Sequence, residues 1–417
     1  MRSAARETDL GESSRAVQKE PFAGGSSIRL CVFGSFYPEF RRAGNSTTGL
    51  VSHFAAMENV AHVSVIAQVG ARLPPWLDPS RVTVHQSWEP GHSLSIIRAT
   101  SEMYSHQEDY DAILWNTYMT AFGAGAVVNG VGLCCVAGLS KLSNKPTLAY
   151  VHNWFSTQQV SKLGYTPSFA TGLIARLLER ILLRGPVVVV PLQSQADALS
   201  IRFHSIPRVQ ALPYIEATPA MFEQPPRDEL PTGPPKLLVI GNWGPQKDVD
   251  GLLHVLSNLL DLDREVSVTI AGAINPNFPE FDLELSRVRS VLGSTHVHYL
   301  GELREDDIAS VFRSHDVIFL PYRAAGGYSG AMNLAAFFGL GVVAFRVPEL
   351  EEYDRVLSAG TVFVTPEAPT EASLGLHQEL VRAVQRRTTR MGSLTSRKAT
   401  TVASVQSLVE YLGGNRS

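Results

Sequence analysis

Lys236-Leu-Leu-Val-Ile-Gly-Asn-Trp-Gly-Pro-Gln-Lys-Asp248 sets an apolar strand against a loop bounded by glycine and proline, with one lysine delivered just before a helix beginning near Asp250. The strand end carries the backbone into the loop, and Gly241 and Gly244 permit close approach to it. Lys247 adds a compact positive charge beside the free N–H groups of a helix start. Such a loop suits a phosphate, and it equally describes an ordinary strand-to-helix turn with a solvated lysine.

A second loop of the same kind follows. Val317-Ile-Phe-Leu-Pro-Tyr-Arg323 is again a buried strand by its pattern, leading through Ala-Ala-Gly-Gly-Tyr-Ser-Gly-Ala331 into a helical run of small residues, Met332 to Gly339. Gly326, Gly327, Ser329 and Gly330 expose backbone donors at a helix N-terminus, where oriented peptide dipoles stabilise an anion. Tight turns use the same residues.

Working outward, the alternation of strand and helix extends across the chain. Strands are expected at Arg29 to Gly34, Val63 to Gln68, Val82 to Gln86, Ala112 to Asn116, Thr147 to His152, Pro186 to Val190 and Val209 to Leu212. The β-branched runs among them imply sheets covered on both faces, hence parallel strands with crossover helices. Phe36 to Gly49 reads as a glycine- and hydroxyl-rich loop leading to a helix from about Leu50. Pro219, Pro225, Pro226, Pro231, Pro234 and Pro235 then interrupt a polar stretch, and the alternation restarts at Leu237. The expected division is a flexible leader 1–26, a doubly wound domain 27–217, a linker 218–235, a second doubly wound domain 236–399, and a helix within 400–417 that crosses back to the first. Ligands of such sheets sit outside the carboxyl ends of the strands, where both glycine loops fall.

Composition bounds the function. The 417 residues are too many for one modest core and suit two domains. A net charge of -3 with dispersed Lys and Arg excludes a nucleic-acid surface. The three cysteines, Cys31, Cys134 and Cys135, lack the spacing of a disulfide framework or a zinc site and suit a reducing, cytoplasmic compartment. Phe122 to Leu139 is uncharged and nearly long enough to span a bilayer, but its glycines and Asn129 favour a buried helix packed on a sheet. Thr171 to Arg184 places Leu173, Ile174, Leu177, Leu178, Ile181 and Leu182 opposite Arg176, Arg180 and Arg184, a stripe that suits core packing or peripheral contact with an anionic membrane.

Two doubly wound domains, a lysine loop before the first helix of the second, and a glycine loop after its fourth strand resemble the GT-B glycosyltransferases, in particular the retaining family 4. The likeness runs from about Arg29 to Leu412 and is clearest over Lys236 to Ala344. The family's first loop usually reads Gly-Arg-Leu-x-Pro-x-Lys-Gly; Gly241, Pro245 and Lys247 match it, and Asn242 stands at the arginine position. The resemblance implies a donor-diphosphate contact for Lys247, with Gly241 and Asn242 beside it, and backbone contacts from Gly327, Tyr328, Ser329, Gly330 and Ala331. Family members carry two glutamates at the second loop, for donor-sugar and ribose hydroxyls; Gly326 and Leu334 occupy those places here, and Asn333 is a candidate substitute or a plain helix residue. His152 resembles the family's histidine at the end of a strand in the first domain, and Gly44-Asn45-Ser46 its acceptor-side glycine loop. Ser194 reads as a helix cap.

The implied activity is transfer of a sugar from a nucleoside diphosphate sugar to an acceptor hydroxyl with retention of configuration, with His152 and Lys247 as catalytic residues. The same resemblance implies no metal and no cofactor beyond the donor substrate: Glu305-Asp306-Asp307 reads as first-turn helix charge rather than a metal site. A glycan, a lipid-linked acceptor and a small molecule are all compatible. The two absent glutamates also suit a catalytically reduced subunit that binds nucleotide or a partner transferase, and a GT-B epimerase or phosphorylase would share most of these features.

Overall fold

The computed structural model describes residues 27–37, 44–117, 122, 126–152, 176–177, 179–203, 209–211, 233–275, 278–293, 295–325, 329–387, 406–410 and 412. The apolar runs form two all-parallel sheets. The first contains β1 (Ile28–Phe33), β2 (Val60–Gln68), β3 (Val82–Trp88), β4 (Ala112–Thr117), β5 (Thr147–Val151), β6 (Val187–Val190) and β7 (Val209–Ala211), in the order β3-β2-β1-β4-β5-β6-β7. The second contains β8 (Lys236–Ile240), β9 (Ser267–Ala271), β10 (Val297–Gly301), β11 (Val317–Leu320), β12 (Gly341–Phe345) and β13 (Val362–Val364), in the order β10-β9-β8-β11-β12-β13.

Each sheet winds outward from its first strand, returns, and winds outward the other way. The order therefore reverses between β1 and β4 in one sheet and between β8 and β11 in the other. At such a point the loops leaving the two neighbouring strands turn to opposite faces and open a crevice. The lysine loop leaves β8 and the glycine loop leaves β11.

Side-chain alternation along these strands feeds two cores per sheet. Leu30 and Val32 pack on one face and Cys31 and Phe33 on the other; Leu237 and Val239 oppose Leu238 and Ile240 in the same way. Helices cover both faces: α1 (Gly44–Ala56), α2 (Ser93–Ser105), α3 (Ala126–Leu142) and α4 (Gln193–Arg202) flank the first sheet. The second carries α5 (Val249–Leu262), α6 (Phe281–Leu292), α7 (Glu305–Arg313), α8 (Gly330–Phe338), α9 (Pro348–Leu357) and α10 (Pro369–Gln385). Leu408, Val409 and Leu412, last in the chain to be described, lie in the first sheet's core with Leu30 and Val32. No helix among the described residues is long and apolar enough to cross a membrane.

Two readings of the sequence are corrected. The segment Gly44-Asn45-Ser46 is the first turn of α1 rather than a loop, and the helix begins there instead of near Leu50. Gly, Asn, Ser and Thr are poor helix formers, so the run looks irregular in isolation; here the Ser46 and Thr47 hydroxyls bond to Asn116, and tertiary contacts override propensity. Ser194 caps nothing: Leu192 holds the N-cap position of α4, and the Ser194 backbone N–H donates to Glu352 Oε1 on α9 at 3.1 Å. The leader 1–26, most of the linker (218–232), 171–175 and 178 of the basic stripe, and 388–405 lie outside the described residues.

One buried ion pair ties the ends of the second domain together. Asp316, just before β11, receives Arg387 Nε at 2.8 Å and Nη2 at 2.6 Å, and its Oδ2 also accepts the Lys236 N–H at 2.9 Å. The guanidinium reaches the carbonyls of Gly233 and Pro234 as well, so both charges are hydrogen-bonded on all sides. Removing one partner strands the other charge: Arg387→Met is expected to lower the unfolding free energy by about 3–5 kcal/mol in urea denaturation, while removing the exposed Arg98–Glu102 pair changes it little.

Candidate functional site

The lysine loop is built from the inside. Trp243 is fully buried and donates its indole N–H to Ala271 O at 3.0 Å, while its backbone N–H reaches Ala273 O at 2.8 Å, so the loop is stitched to the end of β9. Two glycines make the approach possible. Gly272, at φ +115°, would place a Cβ 1.9 Å from Gly241 O, and Gly241, at φ +150°, would place one 2.9 Å from Lys247 Nζ. Asp248 then caps α5 by accepting from Gly251 N at 3.1 Å, and Arg323 Nη2 holds the same carboxylate oxygen at 2.8 Å.

The result is a lysine turned inward. Lys247 is 1% exposed. Its ammonium lies 3.6 Å from the centre of the Tyr322 ring and donates weakly to Ile240 O at 3.4 Å. Among the described residues no carboxylate pairs with it. Burial pushes its pKa below the usual lysine value, opposed by the interaction with Tyr322. An interior cation without a counter-charge is costly, and a ligand anion relieves that cost.

Tyr322 joins the two loops. It pairs with Lys247 in an isolated antiparallel bridge, and its hydroxyl lies 3.3 Å from Ser329 Oγ. Ser329 is the N-cap of α8 and accepts from Met332 N at 3.3 Å. Gly330 and Ala331 form the first turn, so lysine and helix start share one crevice between β8 and β11. Gly326, Gly327 and Tyr328 lie outside the described residues. Asn242 is exposed, with its carbonyl accepting from Gln246 Nε2 at 2.7 Å. Asn333, on α8, is buried with neither carboxamide atom hydrogen-bonded among the described residues, and Leu334 packs into the apolar core beside Met332 and Ala335.

The first sheet's reversal point holds a second polar cluster. His152 follows β5 and its Nε2 lies 2.6 Å from Asn116 Oδ1 and 2.8 Å from Ser46 Oγ. Asn116 Nδ2 donates to Ser46 Oγ and Thr47 Oγ1, both at 2.9 Å. Since the amide oxygen can only accept, Nε2 carries the proton and donates to it. Gly34 allows this closeness, because a Cβ there would meet Thr47 Oγ1 at 2.7 Å. With Nε2 committed to Asn116, His152 orients this cluster from a neutral ring.

Tyr322 and Asn116 were missed by the sequence reading. Asn116 had a signal, a polar residue closing the apolar strand Ala-Ile-Leu-Trp. Tyr322 had none, because an aromatic after a strand ordinarily joins a core.

Residues 234–379 match the family described as Glycosyl transferases group 1. The fold is GT-B, and the matched residues make its second half similar to group 1 glycosyl transferases. The fold is shared with HepE of Anabaena, solved with UDP and glucose, at TM-score 0.62 and 14% identity over 93% of this chain and 99% of that one. It is shared with sucrose-phosphate synthase of Thermosynechococcus elongatus at TM-score 0.61 and 15% identity, over 92% and 98%. The UDP-forming α,α-trehalose-phosphate synthase of Burkholderia xenovorans, solved with glucose-6-phosphate, superposes at TM-score 0.63 and 12% identity, over 93% and 100%. No curated protein matches the sequence. The lysine and glycine loops both lie within the glycosyltransferase match, whereas the His152 cluster lies outside it.

Burial lowers the His152 pKa from 6.5 to about 3. The unfolded chain therefore takes up a proton that the folded one refuses, and the stability due to neutral His152 is complete above pH 6.5 and lost as pH falls toward 3. The expected slope approaches about 1.4 kcal/mol per pH unit. His152→Gln should remove it, as read by urea titrations above and below pH 6.5.

Proposed function

We propose that the protein transfers a sugar from a nucleoside diphosphate sugar to an acceptor hydroxyl with retention of configuration, and that Lys247 and the N-terminus of α8 hold the diphosphate. The observation that carries this reading is the buried, unpaired Lys247 ammonium, linked through Tyr322 to the helix cap Ser329. A diphosphate there would supply the missing counter-charge. As the glycosidic bond breaks, negative charge grows on the leaving diphosphate, and a preorganised cation with helix-start N–H groups stabilises it most in the transition state. The acceptor enters from the first domain, beside the His152–Asn116–Ser46 cluster. The family match, and structural neighbours solved with UDP and glucose and with glucose-6-phosphate, support the class of reaction.

Lys247→Ala is expected to lower turnover by roughly 100- to 1,000-fold, the scale of losing one transition-state donor. Unaltered turnover in that variant would remove Lys247 from the mechanism. Asn333 is assigned to donor hydroxyls in place of the absent carboxylates. Asn333→Leu removes a buried amide that has no partner, so it should raise apparent stability by about 1–3 kcal/mol while weakening donor binding roughly tenfold. Lower stability with unchanged donor affinity would make Asn333 a packing residue.

Leu334, buried in the apolar core where the family's ribose carboxylate would stand, favours a second reading: a GT-B subunit that binds nucleotide without transferring sugar. UDP-dependent thermal stabilisation without donor hydrolysis or transfer by the wild-type protein would select it.

A further inference from the structure

The helices α2, α3 and residues 179–184 cover one face of the first sheet and share its core: Ile96, Ala99 and Met103 from α2, Leu133, Val136 and Leu139 from α3, and Leu182 and Leu183 pack together. Gly185 sits against Ala137, so α3 lies between α2 and the end of the 179–184 segment. The outer surface of this layer is unusual in two ways.

First, it is apolar. Leu94 and Val127 are 81% and 77% exposed, Leu142 70% and Leu177 57%, with Ile97 and Tyr104 also outward. The outer face of α3, through Val127, Cys134 and Leu142, carries no charge from Ala126 to Ser140. Several large apolar side chains exposed on one layer of helices suit an interaction face.

Second, its free charge is positive. Arg176, Arg180 and Arg184 recur at one-turn spacing, are exposed, and pair with no carboxylate among the described residues, while Lys141 lies in the last turn of α3. Of the acids nearby, Glu102 pairs with Arg98 at 3.2 Å, Glu108 with Lys145 at 3.4 Å and the buried Glu179 with Arg202 at 2.9 Å, while Glu89 and Asp109, at the two ends of α2, lie against His92 and His106. A protein partner would have to match both a greasy strip and an isolated row of arginines. A bilayer with anionic headgroups matches both at once, since apolar side chains enter the headgroup–acyl boundary while arginines meet phosphate and carboxylate above it.

We propose that this face docks the protein on an anionic membrane surface, independently of the donor site. The test is co-sedimentation of the full chain with phosphatidylcholine vesicles and with phosphatidylcholine–phosphatidylserine vesicles. Binding is expected to the anionic vesicles only. Replacing Arg176, Arg180 and Arg184 together by Ala should weaken it roughly 100-fold, and replacing Leu94, Val127 and Leu142 by Ser should abolish it at raised salt. All six side chains are exposed, so UDP-dependent thermal stabilisation should be unchanged in both variants and serves as the check on folding and on the donor site. The proposal is overturned if the wild type ignores anionic vesicles, if the arginine variant binds as well as the wild type, or if the apolar variant instead breaks a concentration-dependent dimer, which would assign the face to a second copy of the chain.

Discussion

An ammonium group buried without a carboxylate is the constraint on which the rest of this site depends. Lys247 Nζ is held inside the protein against the face of Tyr322, with a weak hydrogen bond to Ile240 O, and burial lowers its pKa. Nothing in the fold's own stability requires that arrangement; an apolar side chain of similar volume would cost less. The surrounding loop is nonetheless shaped for it: Gly241 makes room for Nζ, Gly272 makes room for Gly241, and Trp243 pins the loop to β9. A closely fitted loop around an uncompensated charge is what a site for a transient anion demands.

The two sheets place chemistry by the same topological device. Strand order reverses between β8 and β11 and between β1 and β4, and each reversal gathers polar groups from loops remote in sequence. In the second domain the gathered groups are Lys247, Tyr322 and Ser329; in the first they are Ser46, Asn116 and His152. The two clusters differ in electrostatic character. The first-domain cluster is internally satisfied and neutral, as suits orientation of an uncharged hydroxyl. The second retains an unanswered positive charge, as suits a diphosphate.

Most of the architecture was legible in the chain because it is written in period and composition. Runs such as Val187 to Val190 and Leu237 to Ile240 have no polar face and can only be interior parallel strands, and the lysine before a helix start pointed to the crevice. What escaped the sequence depended on contacts between distant segments. The helix beginning at Gly44 is stabilised by hydroxyls bonded to Asn116, and the burial of Lys247 by an aromatic ring 75 residues on, at Tyr322. The basic stripe was half legible: Leu182 and Leu183 enter the core as packing requires, but Leu177 faces outward beside the arginines.

The central claim is that Lys247 exists to meet a pyrophosphate. A crystal structure of the protein soaked with UDP tests it most directly. The account predicts a diphosphate oxygen within hydrogen-bonding distance of Lys247 Nζ and of the first N–H groups of α8, with Tyr322 still against the lysine. A diphosphate bound elsewhere, with Lys247 left as enclosed and unpaired as it is without ligand, would contradict it.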